Sequence, residues 1–259
     1  MYNPSLRSQK EQVRSNDGSY TLYSKEFEEP YHSTKDGALH ESLQKHVIPA
    51  LTRKQAQEHL TILDICFGLG YNSFATLYYL KKNNLRTKVH ILSPEFDEAL
   101  VRSLSSFTYP PEFESLHPII ETLSRDLYYE DEQFNIEILL GDARLSVPQI
   151  TQRIDIVYQD AFSPRQNPLL WTREFFADIA TLCKEDSLLT TYSTAAATRL
   201  GLYENGFNIF IHRGENVRFS TIASQQMLEG LEYIDMELKK ERNPTARSLR
   251  DHKINSNKF

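Results

Sequence analysis

The fold is decided by residues 61–73, Thr-Ile-Leu-Asp-Ile-Cys-Phe-Gly-Leu-Gly-Tyr-Asn-Ser. The apolar run over residues 61–66 predicts a buried β-strand, and the pair Gly68 and Gly70 predicts a tight turn. A helix is expected from Asn72 to about residue 82. A strand that passes through a glycine turn into a helix is the building unit of an α/β protein with a parallel sheet.

The rest of the chain repeats this alternation. Strands are expected at residues 88–92, 135–140, 154–158 and 187–192, and helices at 97–106, 169–183 and 194–204, with a further helix from residue 36. Residues 207–211 and 217–223 lie too close together for an intervening helix and are expected to pair antiparallel. This pattern predicts a class I SAM-dependent methyltransferase (Rossmann-like) fold, α/β, with a seven-stranded sheet whose last strand is antiparallel, plus a small N-terminal extension.

The glycine turn is a candidate ligand-binding element. Glycines at this point let a ligand approach the backbone, and the following helix N-terminus offers free amides. A dinucleotide-binding turn would need a third glycine where Ser73 stands. S-adenosylmethionine (SAM) has no phosphates and tolerates the bulk, so Gly68, Gly70 and Asn72 are candidate SAM-binding residues. A purely structural turn without ligand stays open at this point.

Two acidic residues follow strands at the edge where ligands bind in such sheets. Glu95 follows the second predicted strand and can accept hydrogen bonds from two ribose hydroxyls. Asp142 follows the third and can accept one from an adenine amino group. Each alone is also compatible with a helix cap or a solvated surface acid, but their order at successive strand ends favours a nucleoside site.

The loop after the fourth strand is the most specific stretch. Residues 155–172 read Asp-Ile-Val-Tyr-Gln-Asp-Ala-Phe-Ser-Pro-Arg-Gln-Asn-Pro-Leu-Leu-Trp-Thr. Asp160 comes directly after the strand, over the expected cleft, and the residues behind it do not begin a helix. The two prolines, Pro164 and Pro168, stiffen the loop. Trp171, the only tryptophan, is either a core residue or part of a substrate pocket.

These motifs resemble the methyltransferase domain of the tRNA 5-methylaminomethyl-2-thiouridine biosynthesis (MnmC-like) family. That family has a G-x-G-x-N turn, a glutamate after the second strand, a G-D after the third and D-x-F-x-P-x-x-N-P-x-x-W after the fourth. The matching residues here are Gly68, Gly70, Asn72, Glu95, Gly141, Asp142, Asp160, Phe162, Pro164, Asn167, Pro168 and Trp171. The resemblance extends over residues 17–223, although Cys66 stands where the family usually has glycine.

The resemblance implies a stand-alone tRNA methyltransferase without the FAD-dependent oxidase half. The implied reaction is SAM-dependent methylation of the 5-aminomethyl group of the wobble (2-thio)uridine, with neither FAD nor metal. Asp160 and Phe162 are the implied catalytic residues, and Asp160 also lies beside the cofactor. Tyr31 and Trp171 are implied to line the substrate pocket. We expect an N-terminal extension (1–50), a methyltransferase domain (51–230) and a basic C-terminal tail (231–259).

Charge narrows the choice of partners. The 259 residues carry a net charge of −6, which argues against broad coating of nucleic acid. Residues 239–259 alone carry +5, so this tail, with Arg199 and Arg218, is the predicted phosphate contact for a tRNA anticodon loop. A disordered solubilising end is the alternative. No apolar run is long enough to span a membrane, and no secretory signal is visible. A cytoplasmic monomer is expected.

Two other functions stay open from the sequence. An aminopropyltransferase of the spermidine-synthase type shares the fold, but it uses a denser glycine turn and a second acid near the loop aspartate. Neither Ser163 nor Arg165 supplies that acid. The other alternative is a non-catalytic SAM- or RNA-binding module. The two cysteines, Cys66 and Cys183, lack the spacing of a zinc site.

Overall fold

The computed structural model of the protein describes residues 9–254. Its strands are β1 (Lys10–Arg14), β2 (Tyr20–Ser24), β3 (Glu29–Pro30), β4 (His59–Ile65), β5 (Lys88–Glu95), β6 (Tyr128–Glu130), β7 (Phe134–Leu140), β8 (Ile154–Gln159), β9 (Cys183–Thr191), β10 (Asn208–His212), β11 (Ser220–Ser224) and β12 (Glu232–Ile234).

The α-helices of the described residues are α1 (Ala38–Ser42), α2 (Ile48–Lys54), α3 (Tyr71–Lys82), α4 (Glu98–Ser103), α5 (His117–Asp126), α6 (Ala143–Ser146), α7 (Arg173–Leu182), α8 (Ala196–Tyr203) and α9 (Met236–Arg242). A π-helical segment, Leu43–Val47, joins α1 to α2. Short 3₁₀ helices lie at Leu104–Ser106, Pro111–Leu116, Val147–Gln149, Pro168–Trp171 and Asp251–Lys253. Within residues 9–254, no helix is long and apolar enough to cross a lipid bilayer.

The central sheet has the order β12-β10-β11-β9-β8-β4-β5-β7-β6. Adjacent strands within the row β9-β8-β4-β5-β7 run parallel to each other. Strand β11 runs antiparallel to both β9 and β10. The predicted α/β fold with an antiparallel last strand is therefore confirmed. The predicted number of seven strands is wrong, because β6 and β12 extend the sheet to nine. Both added strands have only three residues, which is too short to show an alternating pattern.

Alternate residues along the central strands face opposite layers of the core. On β4, Ile62 belongs to one apolar cluster with Phe74 of α3, whereas Leu63 belongs to a second cluster with Phe175 of α7. Side chains alternate between the two faces of a strand, so a strand covered by helices on both faces needs apolar residues at successive positions. This explains the continuous apolar run that opened the sequence analysis.

The segment before the central sheet folds over the sheet's carboxyl edge. Strands β1, β2 and β3 form a separate antiparallel sheet. The helix expected from residue 36 begins at Ala38 and continues through the π-helical segment into α2. The predicted boundary at residue 50 therefore falls inside a helix. A π-helical turn widens the helix locally and often marks a functional site.

The predicted basic tail is structured where it is described. Strand β12 pairs with β10, and Leu249 forms a bridge to Thr172. The guanidinium of Arg250 lies 2.6 Å from Glu174 of α7, and Asp251 pairs with Arg144. The alternative of a disordered end is wrong for residues 231–254, since these contacts attach them to the central domain. Lys258 of the predicted tail lies outside the described residues.

Candidate active site

A cavity of about 640 Å³ opens at the carboxyl ends of the parallel strands. It lies where the strand order reverses around β4, which is the usual ligand position in an open α/β sheet. Its size falls in the range of small-molecule sites. Eight predicted site residues line it: Tyr31, Gly68, Asn72, Glu95, Asp142, Asp160, Phe162 and Arg218.

The backbone of the glycine turn is left-handed at three positions. The φ angles of Cys66, Gly68 and Gly70 are 69°, 54° and 71°. A Cβ atom on Gly70 would lie 2.5 Å from the ring of Phe74, so only glycine fits under that ring. Gly70 does not line the cavity, and its place is at the start of α3. Cys66 occupies a conformation that favours glycine, which accounts for the family's usual residue there.

Glu95 ties the turn to the end of β5. One of its carboxylate oxygens accepts a hydrogen bond from the Gly68 amide at 2.7 Å, and the other accepts one from the Asp97 amide at 2.7 Å. Burial raises the pKa of Glu95, although these backbone hydrogen bonds oppose the rise. The carboxylate lines the cavity and can accept about four hydrogen bonds in all, so the residue fits the ribose hydroxyls of SAM.

Asp142 follows the neighbouring strand β7 and lines the same cavity. Its carboxylate accepts a hydrogen bond from the Arg144 amide at 2.8 Å and caps α6. The cap and the cavity position are compatible, because one carboxylate oxygen serves the helix and the other remains available. The residues present therefore fit SAM. Glu95 can bind the ribose, Asp142 can bind the adenine, and the turn at Gly68 lets the ligand approach the backbone closely.

Asp160 is the centre of a buried polar cluster. Its Oδ2 accepts a hydrogen bond from the Asn72 side-chain amide at 2.9 Å. The Nε2 atom of His46 lies 3.4 Å from Oδ1, and the Nδ1 atom of His32 lies 3.9 Å from Oδ2. Burial alone would raise the pKa of Asp160, but His46 first, then His32 and Asn72, outweigh burial and lower it. Asp160 is therefore a carboxylate at neutral pH.

A second carboxylate lies behind this cluster. Asp64, at the end of β4, accepts hydrogen bonds from the Ser73 hydroxyl at 2.8 Å and from the Asn72 amide at 3.4 Å. Burial raises the pKa of Asp64 to about 7, against the opposing effect of Ser73. The amide of Asn72 thus links two buried carboxylates, Asp64 and Asp160, and is held in one orientation by both.

The two histidines face Asp160 through ring nitrogens that lie within ion-pair distance of the carboxylate but outside hydrogen-bond geometry. Nδ1 of His32 and Nε2 of His46 are buried and make no hydrogen bond within the described residues. His46 is anchored from behind, since its Nδ1 lies 2.9 Å from the Thr190 hydroxyl of β9. Burial lowers the pKa of His32, more than Asp160 raises it. His32, which lines the cavity, is therefore a neutral imidazole able to accept a proton.

A buried ion cluster fixes the segment that carries these histidines. Lys45 Nζ lies 2.7 Å from both Asp36 and Glu41, and Glu41 also accepts a hydrogen bond from the Ser33 amide at 2.7 Å. Because all three charged side chains are buried and paired, residues 32–46 are held against the cavity as one unit.

Aromatic rings form the other half of the cavity. Phe162 stacks on Phe27 with ring centroids 4.3 Å apart, and Tyr31 meets Phe162 edge-on at 4.8 Å. Trp171 is fully buried, and its indole N–H donates to the Phe162 carbonyl at 2.7 Å. The structure thus contradicts a direct substrate contact for Trp171, since the ring supports the loop from behind.

Arg199 does not belong to this cavity. It lines a second cavity of about 510 Å³ together with Arg218, which borders both. The sequence interpretation also missed His32, His46, Asp64 and Tyr192, whose hydroxyl donates to the Ala161 carbonyl at 2.9 Å. The position of Asp64 at a strand end was a usable signal, but no local pattern marks the histidines. No group of three or more metal-ligating side chains occurs in residues 9–254.

The strand order and the cavity define a class I SAM-dependent methyltransferase. Residues 114–226 match a family described as S-adenosyl-L-methionine-dependent methyltransferase. The crystal structure of MnmC2 from Aquifex aeolicus shares 34% sequence identity and a TM-score of 0.83, and the match covers 97% of this chain and 82% of that one. The chain belongs to the MnmC2 family, and SAM is its methyl donor.

Longer relatives match in part. An uncharacterized protein of Methanocaldococcus jannaschii is 33% identical over 204 residues, which are 76% of this chain and 54% of the relative. The tRNA 5-methylaminomethyl-2-thiouridine biosynthesis bifunctional protein MnmC of Azoarcus is 30% identical over 201 residues, which are 73% of this chain and 31% of the relative. The chain thus spans about half or less of the length of these two relatives.

Proposed function

We propose that the protein methylates the amine of a 5-aminomethyl group on the wobble (2-thio)uridine in the tRNA anticodon loop, giving 5-methylaminomethyl-(2-thio)uridine. Membership of the MnmC2 family supports this proposal, as does the product named for the longer MnmC relatives. We expect the protein to act as a monomer in the cytoplasm.

The observation that carries the proposal is the position of Asp160. This buried carboxylate lies where the acidic, glycine-turn half of the cavity meets the aromatic half. Gly68, Glu95 and Asp142 are the proposed SAM contacts. SAM supplies a methyl group already activated on a sulfonium, so the protein mainly has to align the acceptor with it.

The aromatic half suits a flat base. Tyr31 and Phe162 offer ring surfaces against which a uracil can stack, while burial keeps the Tyr31 phenol protonated by raising its pKa. The wobble base belongs to a single-stranded loop, so turning it into a pocket costs only a few kcal/mol.

The polar cluster handles the amine. An alkyl ammonium has no free lone pair, and its ordinary pKa of about 10.4 keeps it charged at neutral pH. Asp160 accepts a hydrogen bond from the amine and directs its lone pair, while Asn72 holds the carboxylate in place. Asp160 is a weak base because its pKa is lowered. His32, neutral and on the cavity wall, is the better acceptor for the proton that must leave the nitrogen.

The test uses labelled SAM and tRNA from cells that lack this gene, followed by nucleoside mass analysis. The expected result is a gain of one methyl group on a 5-aminomethyl-uridine. Asp160→Ala should abolish turnover and keep SAM binding, whereas the exposed control Asp126→Asn should behave like the wild type. Label found only in polyamines or other small amines would overturn the proposal that tRNA is the substrate. Absence of turnover by the wild-type protein would favour the binding module.

A further inference from the structure

The second cavity lies beside the mouth of the first. It has a volume of about 510 Å³ and is lined by Thr194, Arg199, Ile211, Arg218 and Phe219. Arg218 lines both cavities, so the two cavities are neighbours on the surface. Nothing in the proposed methylation chemistry uses this second cavity.

Arg199 has no anionic partner in the part of the chain between residues 9 and 254. Its Nε donates to the Thr221 hydroxyl at 3.0 Å, which leaves the terminal nitrogens without an ion pair among those residues. A half-buried guanidinium that lacks a carboxylate is costly unless an anion binds to it. Arg218 adds a second positive charge: its Nε lies 3.9 Å from Asp36, and the side chain is 74% exposed.

Phe219 presents an open aromatic ring at the same place. It is 53% exposed, which is unusual for a phenylalanine. The guanidinium of Arg213 lies over the ring at 4.1 Å from its centroid, and Arg213 is itself held by Glu232 at 2.6 Å. The ring is therefore fixed from one side while much of its surface stays free for stacking.

We infer that the second cavity binds the nucleotide next to the modified uridine in the same RNA strand, with its phosphate on Arg199 and Arg218 and its base stacked on Phe219. Positively charged side chains and an exposed ring are the two components of single-strand binding sites, and stacking tolerates any base. This inference rests on the proposed function and extends it: the enzyme grips two adjacent nucleotides, only one of which it modifies.

A coupling experiment tests the base contact. Binding of a fluorescent anticodon stem-loop that carries 5-aminomethyl-uridine at the wobble position is measured for wild type and Phe219→Ala, each with an intact RNA and with an abasic residue on the 5′ or the 3′ side of that position. We expect Phe219→Ala to weaken binding of intact RNA about 10-fold and removal of the correct neighbouring base to weaken wild-type binding equally. Combining both changes should add nothing further.

Arg199 is tested through salt dependence. Arg199→Gln should weaken binding about 10-fold and reduce the slope of log affinity against log salt by about one, because one phosphate contact is lost. Phe219→Tyr and Arg199→Lys should restore most of the affinity. Tyr128→Ala and Arg125→Gln are matched controls, since they remove an exposed aromatic residue and an exposed arginine near the opposite edge of the sheet.

Three outcomes separate the ideas. Additive effects of Phe219→Ala and of both abasic substitutions would overturn the inference, as would losses no larger than those of the controls. Methylation of the same stem-loop by the wild-type protein is measured separately and reports on the proposed function. RNA that binds with the expected coupling and gains no methyl group would overturn the proposed reaction while leaving the nucleotide site in place.

Discussion

Asp64→Asn is expected to make the protein more stable at alkaline pH and to leave its stability little changed at acidic pH. The wild-type carboxyl is fully buried and its pKa is raised from 3.8 to about 7 by burial. Between pH 3.8 and pH 7, the folded state therefore binds up to one proton more than the unfolded state. A group of this kind stabilises the fold most below pH 3.8 and loses that contribution as the pH rises towards 7.

The size of the effect follows from the same two pKa values. Across the whole window the loss amounts to ~4 kcal/mol, at ~1.4 kcal/mol for each pH unit. About 3 kcal/mol of this loss occurs between pH 5 and pH 8. Asparagine has the same shape and no charge to desolvate. We therefore expect the difference in melting temperature between Asp64→Asn and wild type to grow by roughly 8 °C over that interval.

Urea denaturation and thermal melts at pH 5, 6, 7 and 8 measure this difference. The control is Asp126→Asn, because Asp126 is exposed and its pKa is lowered by Arg125, so its effect should be flat over the same range. Ser73→Ala removes the hydrogen bond that lowers the pKa of Asp64 and should move the window to higher pH. A stability difference for Asp64→Asn that is the same at pH 5 and pH 8 would refute the reasoning.

Substitutions at three further positions test other parts of the site. Trp171→Phe leaves the buried Phe162 carbonyl unpaired and should cost about 2 kcal/mol, with a raised KM for RNA and unchanged SAM affinity. Cys66→Gly should stay within ~1 kcal/mol of wild type, since relief of the left-handed backbone offsets glycine's entropy, whereas Cys66→Val should lose more than about 2 kcal/mol. Lys45→Met should cost about 3–5 kcal/mol, because two buried carboxylates lose their partner.

Denaturation curves in urea check the stability changes, and calorimetry with SAM separates folding from binding. For the tryptophan, an unaltered KM would mean that the loop needs no support from the indole. For the cysteine, equal losses for glycine and valine would remove the argument from backbone strain. For the lysine, a loss below about 1 kcal/mol would show that water already screens the cluster.

The main elements of the fold were predictable because their signals are local. The run at residues 61–66, the glycine turn and the polar residues behind successive strands are each encoded within a few positions. The structure places Glu95, Asp142 and Asp160 on one cavity as the parallel arrangement requires. The edge strands β6 and β12 were not predicted, because three residues are too few to show an alternating pattern. Their pairing also depends on a neighbouring strand that is already in place.

The cavity residues that belong to local motifs were predictable, and the histidines beside Asp160 were not. His32 and His46 reach Asp160 from a segment more than 100 positions earlier in the chain, through the π-helical turn and the Lys45 ion cluster. Trp171 is the opposite case, since it belongs to a recognisable motif and yet does not line the cavity. Its loop turns the ring inward, where it is fully buried. The sequence by itself determined the strand–turn–helix order and the acids at the strand ends, since turn chemistry and periodicity act between near neighbours. Only the tertiary structure decided which distant side chains share the cavity, because that proximity depends on how the layers pack.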